Sequence, residues 1–244
     1  MRQGDRLVGR FLSRREVVAL LGATGAAWLM AGSLALRRAL ARMPGPLCVV
    51  RPEQTEGPYF VDERLNRSDI RLDPADGQVK PGTPLALTLK VSRLSAGDCH
   101  PLAGAQVDLW HCDALGVYSD VRDTGFSTIG QKFLRGYQLT DARGEAQFIT
   151  VYPGWYPGRT VHIHFKIRTA TLARRNVEFT SQLYFDDELT DRVHADQPYA
   201  AKGPRTARNR HDFIFRRGGN HLMLDPIATA DGYSALFAIG LQLP

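Results

Sequence analysis

The chain is 244 residues long, with 43% apolar and 23% charged residues and a formal charge of +6. That length holds one sizeable domain with an appendage, and the composition excludes a disordered chain and an integral membrane protein. Eight arginines against Asp5 and Glu16 in residues 1–42 account for the whole charge, which leaves a formally neutral body with no reason to bind nucleic acid.

Residues 1–42 have the layout of an export signal or a membrane anchor. A basic start ends in Ser13-Arg14-Arg15, an apolar run follows from Val17 to Leu36, and Ala39-Leu40-Ala41 offers small residues for cleavage. The paired arginines resemble a twin-arginine signal, although Val17 and Val18 stand where that signal has Phe and Leu. The run is also long enough for a single membrane-spanning helix with arginines on both flanks. Either way the expected partners are the export machinery or a membrane, and the body is expected outside the cytoplasm or tethered to a membrane facing out. Of three cysteines, Cys48 and Cys99 lie in loop-like contexts and are the expected disulfide, while Cys112 reads as a small buried residue.

Residues 43–244 read as one all-β domain, a single β-sandwich with long loops, preceded by the signal or anchor helix. Short strand patterns alternate with Gly, Pro, Asn and Asp, and no long helical period follows the leader. Leu85 to Val91 alternates cleanly. Ala105 to His111, Glu145 to Tyr152, Thr160 to Arg168 and Phe179 to Phe185 follow, with shorter candidates at Phe213 to Phe215, Leu222 to Leu224 and Ala235 to Leu241. Asp186 to Arg210 reads as a long irregular excursion.

The densest chemistry lies in VYPGWYPGRTVHIHFKI, residues 151–167. Val161, Ile163, Phe165 and Ile167 make one apolar face, so His162 and His164 project together from the other. That is a geometry for holding one ion, and it is also what a polar outer face looks like. Tyr156 sits in a Gly-Pro turn just before this strand, and Tyr118 follows another strand and a glycine turn. Taken singly, each tyrosine reads more as packing or an edge aromatic than as a ligand. His100, His194, His211 and His221 have no partners at ligand spacing and read as solvated.

DLWHCDALGVYS, FLRGYQLTDARGEAQFITVYPGWYPGRTVHIHF and TSQLYF, together with Thr55-Glu-Gly-Pro-Tyr59, resemble the intradiol ring-cleavage dioxygenases. The likeness runs from the Cys48 region to about Phe185 and is closest to exported single-domain members. It implies a non-haem Fe(III) cofactor held by Tyr118, Tyr156, His162 and His164, with Tyr156 as the ligand that leaves and takes up a substrate proton. Phenolate is a hard anionic donor suited to a trivalent iron. The resemblance also implies a catechol-type diol and O2 as substrates and a cis,cis-muconate-type product. By it, Arg159 stabilises charge building on the ring, Gln182 steadies Arg159 or the substrate, and Pro58 and Tyr59 line the mouth. Trp110, His111 and Asp113 read as packing or support around the first tyrosine. Two other readings stand beside this one: an exported sandwich that only binds, and copper in place of iron.

Overall fold

The computed structural model of the protein describes residues 48–243, apart from 96 and 171–175. The expected signal or anchor over residues 1–42 lies outside them. Two sheets face each other, as the alternating patterns predict. In chain order the strands are β1 (Pro84–Ser95), β2 (Asp98–Pro101), β3 (Gln106–Trp110), β4 (Arg122–Asp123), β5 (Phe126–Ser127), β6 (Arg135–Leu139), β7 (Glu145–Val151), β8 (His162–Ala170), β9 (Asn176–Tyr184), β10 (Ile227–Ala228) and β11 (Tyr233–Gln242). One sheet runs β10-β11-β1-β2 with β7 also beside β1, and the other runs β6-β3-β8-β9. The short pair β4-β5 forms a separate hairpin. Among the described residues no helix is long and apolar enough to cross a membrane.

Register explains the core. On β1, Leu87 lies opposite Phe148 of β7 and Ala235 of β11, and Leu89 opposite Ala146 and Phe237. On β8, Ile163, Phe165 and Ile167 pair with Leu183, Ser181 and Phe179 of β9. Phe165 meets Phe237 of the other sheet with ring centres 5.9 Å apart, so the apolar faces close on each other. Each large side chain withdrawn from water here contributes roughly 1.5–3 kcal/mol.

Several expectations are corrected. The stretch from Asp186 to Arg210 contains helix α1 (Asp187–His194), started by Asp186, whose side chain accepts from the Glu188 and Leu189 amides. Leu189 and Val193, one turn apart, bury its inner side. Phe213 to Phe215 is no strand: Asp212 accepts from the Ile214 and Phe215 amides and folds the segment into a turn. Leu222 to Leu224 makes only a bridge alongside Tyr184. β6 escaped the pattern because it contains Gly136, where a Cβ would come within 2.9 Å of Ile70. His194 is not solvated. It donates toward the Pro153 carbonyl at 3.0 Å and stacks on Tyr199. His100, His211 and His221 are exposed, as expected. Cys48 and Cys99 form the disulfide, and Cys112 is a buried free thiol.

Candidate active site

β8 is a central strand, hydrogen-bonded to β3 on one side and β9 on the other. Register places Trp110 and Gln182 directly across from His164, and Tyr184 across from His162. Since side chains alternate, all five leave the sheet on the face opposite the core. That face is not exposed: His162 is 2% and His164 1% accessible. Trp110 lies flat on the His164 ring at 5.0 Å. Segment 54–59 crosses over the top, with Gly57 at φ +74 and its Cα side so close that a Cβ would stand 3.4 Å from His164 Cε1.

Hydrogen bonding fixes one imidazole. His162 Nδ1 faces the Thr160 carbonyl at 2.6 Å, so it carries the hydrogen and leaves Nε2 as a lone pair. Around that lone pair stand Tyr156 Oη at 3.2 Å, His164 Nε2 at 3.0 Å and Arg159 Nη1 at 3.3 Å. Tyr118 comes from the loop after β3, its ring 5.8 Å from Tyr156 and 6.2 Å from His164. The four side chains expected to act together are thus brought together.

Electrostatics then states what the cluster lacks. Burial lowers both imidazoles well below the usual histidine value, so both are neutral. Burial first, then the neighbouring Tyr156 phenol, holds Tyr118 far above the usual tyrosine value, and burial raises Tyr156 although Arg159 pulls it back. Tyr118 Oη and His164 Nδ1 are buried and have no hydrogen-bond partner among the described residues. An unpaired buried polar group costs about 1–3 kcal/mol. A strongly Lewis-acidic cation would remove that cost at Tyr118 by stripping the phenol proton, and would take the facing Nε2 lone pairs of His162 and His164. Two hard oxygen donors and two imidazoles fit iron(III). No group of three His, Cys, Asp or Glu among the described residues offers a metal site, so tyrosine is needed for the set.

Arg159 is held at the edge of this cluster by two side chains, one of them anchored in turn. Its Nε donates to Asp212 Oδ2 at 2.8 Å, its Nη2 donates to Gln182 Oε1, and Gln182 Nε2 in turn donates to the Thr55 carbonyl at 2.9 Å. Asp212 is fully buried and also accepts from the Thr160 amide at 2.8 Å, so it sets both Arg159 and the start of the His162 strand. Sequence reasoning missed Asp212. Its signal was an Asp two and three residues before the amides it caps, in a stretch that reads as strand. Also missed was Arg135, inside FLRGYQ. Its guanidinium binds the Ser119 hydroxyl at 2.7 Å, the Ser119 carbonyl and the Tyr59 carbonyl at 3.0 Å, which ties the Tyr118 loop to the covering segment. Burial pulls it down to about 10.

A cavity of 390 Å³ opens beside Tyr156, walled by Tyr59, Val117, Asp123, Phe126, Tyr156 and Lys202 among others. Tyr59 stacks on Tyr118 at 4.5 Å and donates its hydroxyl to Asp123. Burial first, then Asp123, pushes its phenol up to about 12. Pro58 lines a neighbouring cavity of 420 Å³ that shares the Tyr59 and Asp123 wall. The two expected mouth residues therefore flank adjoining spaces.

Known proteins resemble this chain over the stretch that carries the site. The family model of the dioxygenases matches residues 55–209. The beta chain of protocatechuate 3,4-dioxygenase from Burkholderia cepacia is 31% identical over 147 residues, which are 57% of this chain and 60% of that one. Catechol 1,2-dioxygenase 1 from Acinetobacter lwoffii is 26% identical over 162 residues, 56% of this chain and 49% of its own. The chain therefore spans about half the length of the curated relatives it matches. An intradiol ring-cleavage dioxygenase structure from Tetranychus urticae superposes with a TM-score of 0.68 at 29% identity, covering 80% of this chain and 95% of the other. With the match running through both tyrosines, both histidines and Arg159, the chain belongs to the dioxygenase family, in its intradiol ring-cleavage group.

Proposed function

We propose that the protein is a non-haem Fe(III) enzyme that opens the ring of a catechol-type diol between its two hydroxyls with O2, giving a cis,cis-muconate-type product. The observation that carries this is the convergence of part-buried Tyr156 with buried Tyr118, His162 and His164, the Tyr118 hydroxyl having no partner among the described residues. Those four residues would hold the iron, which when bound supplies the Lewis acidity that draws in both oxygens of the diol and opens its ring to O2.

The protein's own groups do the rest. Two phenolates would offset two of the metal's charges. Tyr156, on a turn before β8, is the donor placed to receive a proton from the diol as it enters. Arg159, fixed by Asp212 and Gln182, keeps a cation beside the cluster where charge builds on the ring. Tyr59 and the covering segment limit water at the site, and the cavity beside Tyr156 admits the diol. The leader pattern and the Cys48–Cys99 disulfide support a place outside the cytoplasm, where disulfides persist.

The test is a visible absorption spectrum of the purified iron-replete protein, before and after anaerobic catechol. A broad tyrosinate-to-iron band that moves to longer wavelength on adding catechol is expected. A colourless protein that does not take up ferric iron would sink the proposal.

A further inference from the structure

The cavity beside Tyr156 holds one charge that the dioxygenase chemistry does not use. Lys202 ends a short turn, Tyr199–Lys202, whose Tyr199 is buried and anchored: its hydroxyl donates to the Tyr152 carbonyl at 2.7 Å and receives the Thr83 amide at 2.9 Å. The root of Lys202 is therefore fixed. Its ammonium reaches back over the Trp155 indole at 4.8 Å and donates to the Leu115 carbonyl. It makes no ion pair with any described residue. An ammonium has three donors, so two stay unspent on the cavity wall.

Gly116 makes the space for this. It sits at φ +80, and a Cβ there would lie 2.4 Å from Lys202 Nζ and 2.1 Å from the Trp155 carbonyl. No other residue lets the ammonium lie where it does without displacing it. The opposite charge on the same wall, Asp123, is already satisfied: its carboxylate accepts from Tyr59 Oη and from the Thr124 amide at 2.6 Å. It offers no donor to an acid and repels one on its own side. The remaining wall is largely aromatic and aliphatic, which strengthens a charge-assisted bond formed against it. At 390 Å³ the space lies in the roughly 300–1,000 Å³ range that takes ligands larger than one ring.

We propose that Lys202 is a specificity-determining residue that binds an anionic group on a side arm of the diol, so that the preferred substrates are catechols carrying a carboxylate. The inference rests on the dioxygenase reading and adds the substrate class. The side arm points to the Lys202 end of the cavity, away from Asp123, and the diol end stays at Tyr156.

The experiment compares 3,4-dihydroxyphenylacetate with its neutral amide, using catechol as the reference. Anaerobic absorbance titration gives affinity and oxygen uptake gives kcat/KM, on the iron-replete full chain. The parent protein should favour the acid over the amide by about tenfold at low salt, the scale of one hydrogen bond to a charged group, and less as salt rises. Lys202→Met should bring the ratio close to one, and Lys202→Arg should keep it. Equal handling of acid and amide by the parent protein overturns the proposal, whether or not the variants fold. So does a preference that survives in Lys202→Met. A parent protein that cleaves catechol yet shows no preference removes only the role of Lys202. One that neither takes up iron nor binds catechol removes the dioxygenase reading along with it.

Discussion

Asp212→Asn separates the positioning of Arg159 from the making of the proposed metal site. The substitution keeps an oxygen for the Ile214 and Phe215 amides, so the turn they form survives. It turns the other oxygen into an NH2 facing two donors, Arg159 Nε and the Thr160 amide, each now 2.8 Å from Oδ2. Two charge-assisted bonds are lost at a fully buried position, which costs about 3–5 kcal/mol. Arg159 then keeps Gln182 but is free to rotate about it. Catechol turnover should fall by about 10², approaching the roughly 10²–10³ loss expected for Arg159→Ala, which itself should keep iron and colour. The assay is a double-mutant cycle on turnover by oxygen uptake, with urea unfolding and the visible band followed in parallel. If Asp212 acts through Arg159, adding Asp212→Asn to Arg159→Ala changes turnover little. Losses that multiply, or a visible band lost in Asp212→Asn alone, would refute the reasoning.

Tyr156→Phe should perturb iron binding and the visible band while leaving circular dichroism unchanged, and a parent-like spectrum and turnover would exclude Tyr156 as a ligand. His111 is buried against Thr150 and the Cys112 carbonyl, and burial lowers it to about 4. The unfolded chain takes up a proton there below about pH 6.5 and the folded one does not. Stability therefore falls as pH drops from about 6.5 toward 4, by about 2 kcal/mol at pH 5 from this residue alone. Urea unfolding of the iron-free protein at pH 7.5 and 5 measures it, and His111→Gln should flatten part of the difference. Replacing Cys48 and Cys99 by Ser opens a loop closed across 51 residues and should cost about 4 kcal/mol by chain entropy, read from urea midpoints at constant slope.

What was legible in the sequence was what a period of two can carry. β1 and β8 carry apolar residues at every second position, so Leu85 to Val91 and Val161 to Ile167 announced themselves. The four side chains proposed to hold the iron were legible only as a set of ordered motifs, because a tyrosine in a turn looks the same whether it packs or binds. Pattern failed where one contact decides the conformation. α1 hangs on Asp186 and two buried residues, β6 on the absence of a side chain at Gly136, and the Asp212 turn on one carboxylate. Asp212 and Lys202 reach the site only through the fold, from segments that carry no catalytic signature of their own. His194 misread as solvated for the same reason: its partner Tyr199 sits across a loop.

The parallel pairing of β1 with β11 has a consequence for biosynthesis. Ten positions, Leu85 to Leu94, take their neighbours from Tyr233 to Gln242, in the middle of one sheet. On a ribosome β1 is made early, and must wait for nearly the whole domain to be translated before its inner neighbour exists. Leu85, Leu87 and Leu89 stay half-covered for that interval, with β7 the only strand available on the other side. The sheet with the histidines completes sooner, since β3, β6, β8 and β9 all lie between residues 106 and 184. A stalled or truncated chain would therefore carry a nearly finished histidine face on an unfinished sandwich, a form for chaperones and proteases to recognise.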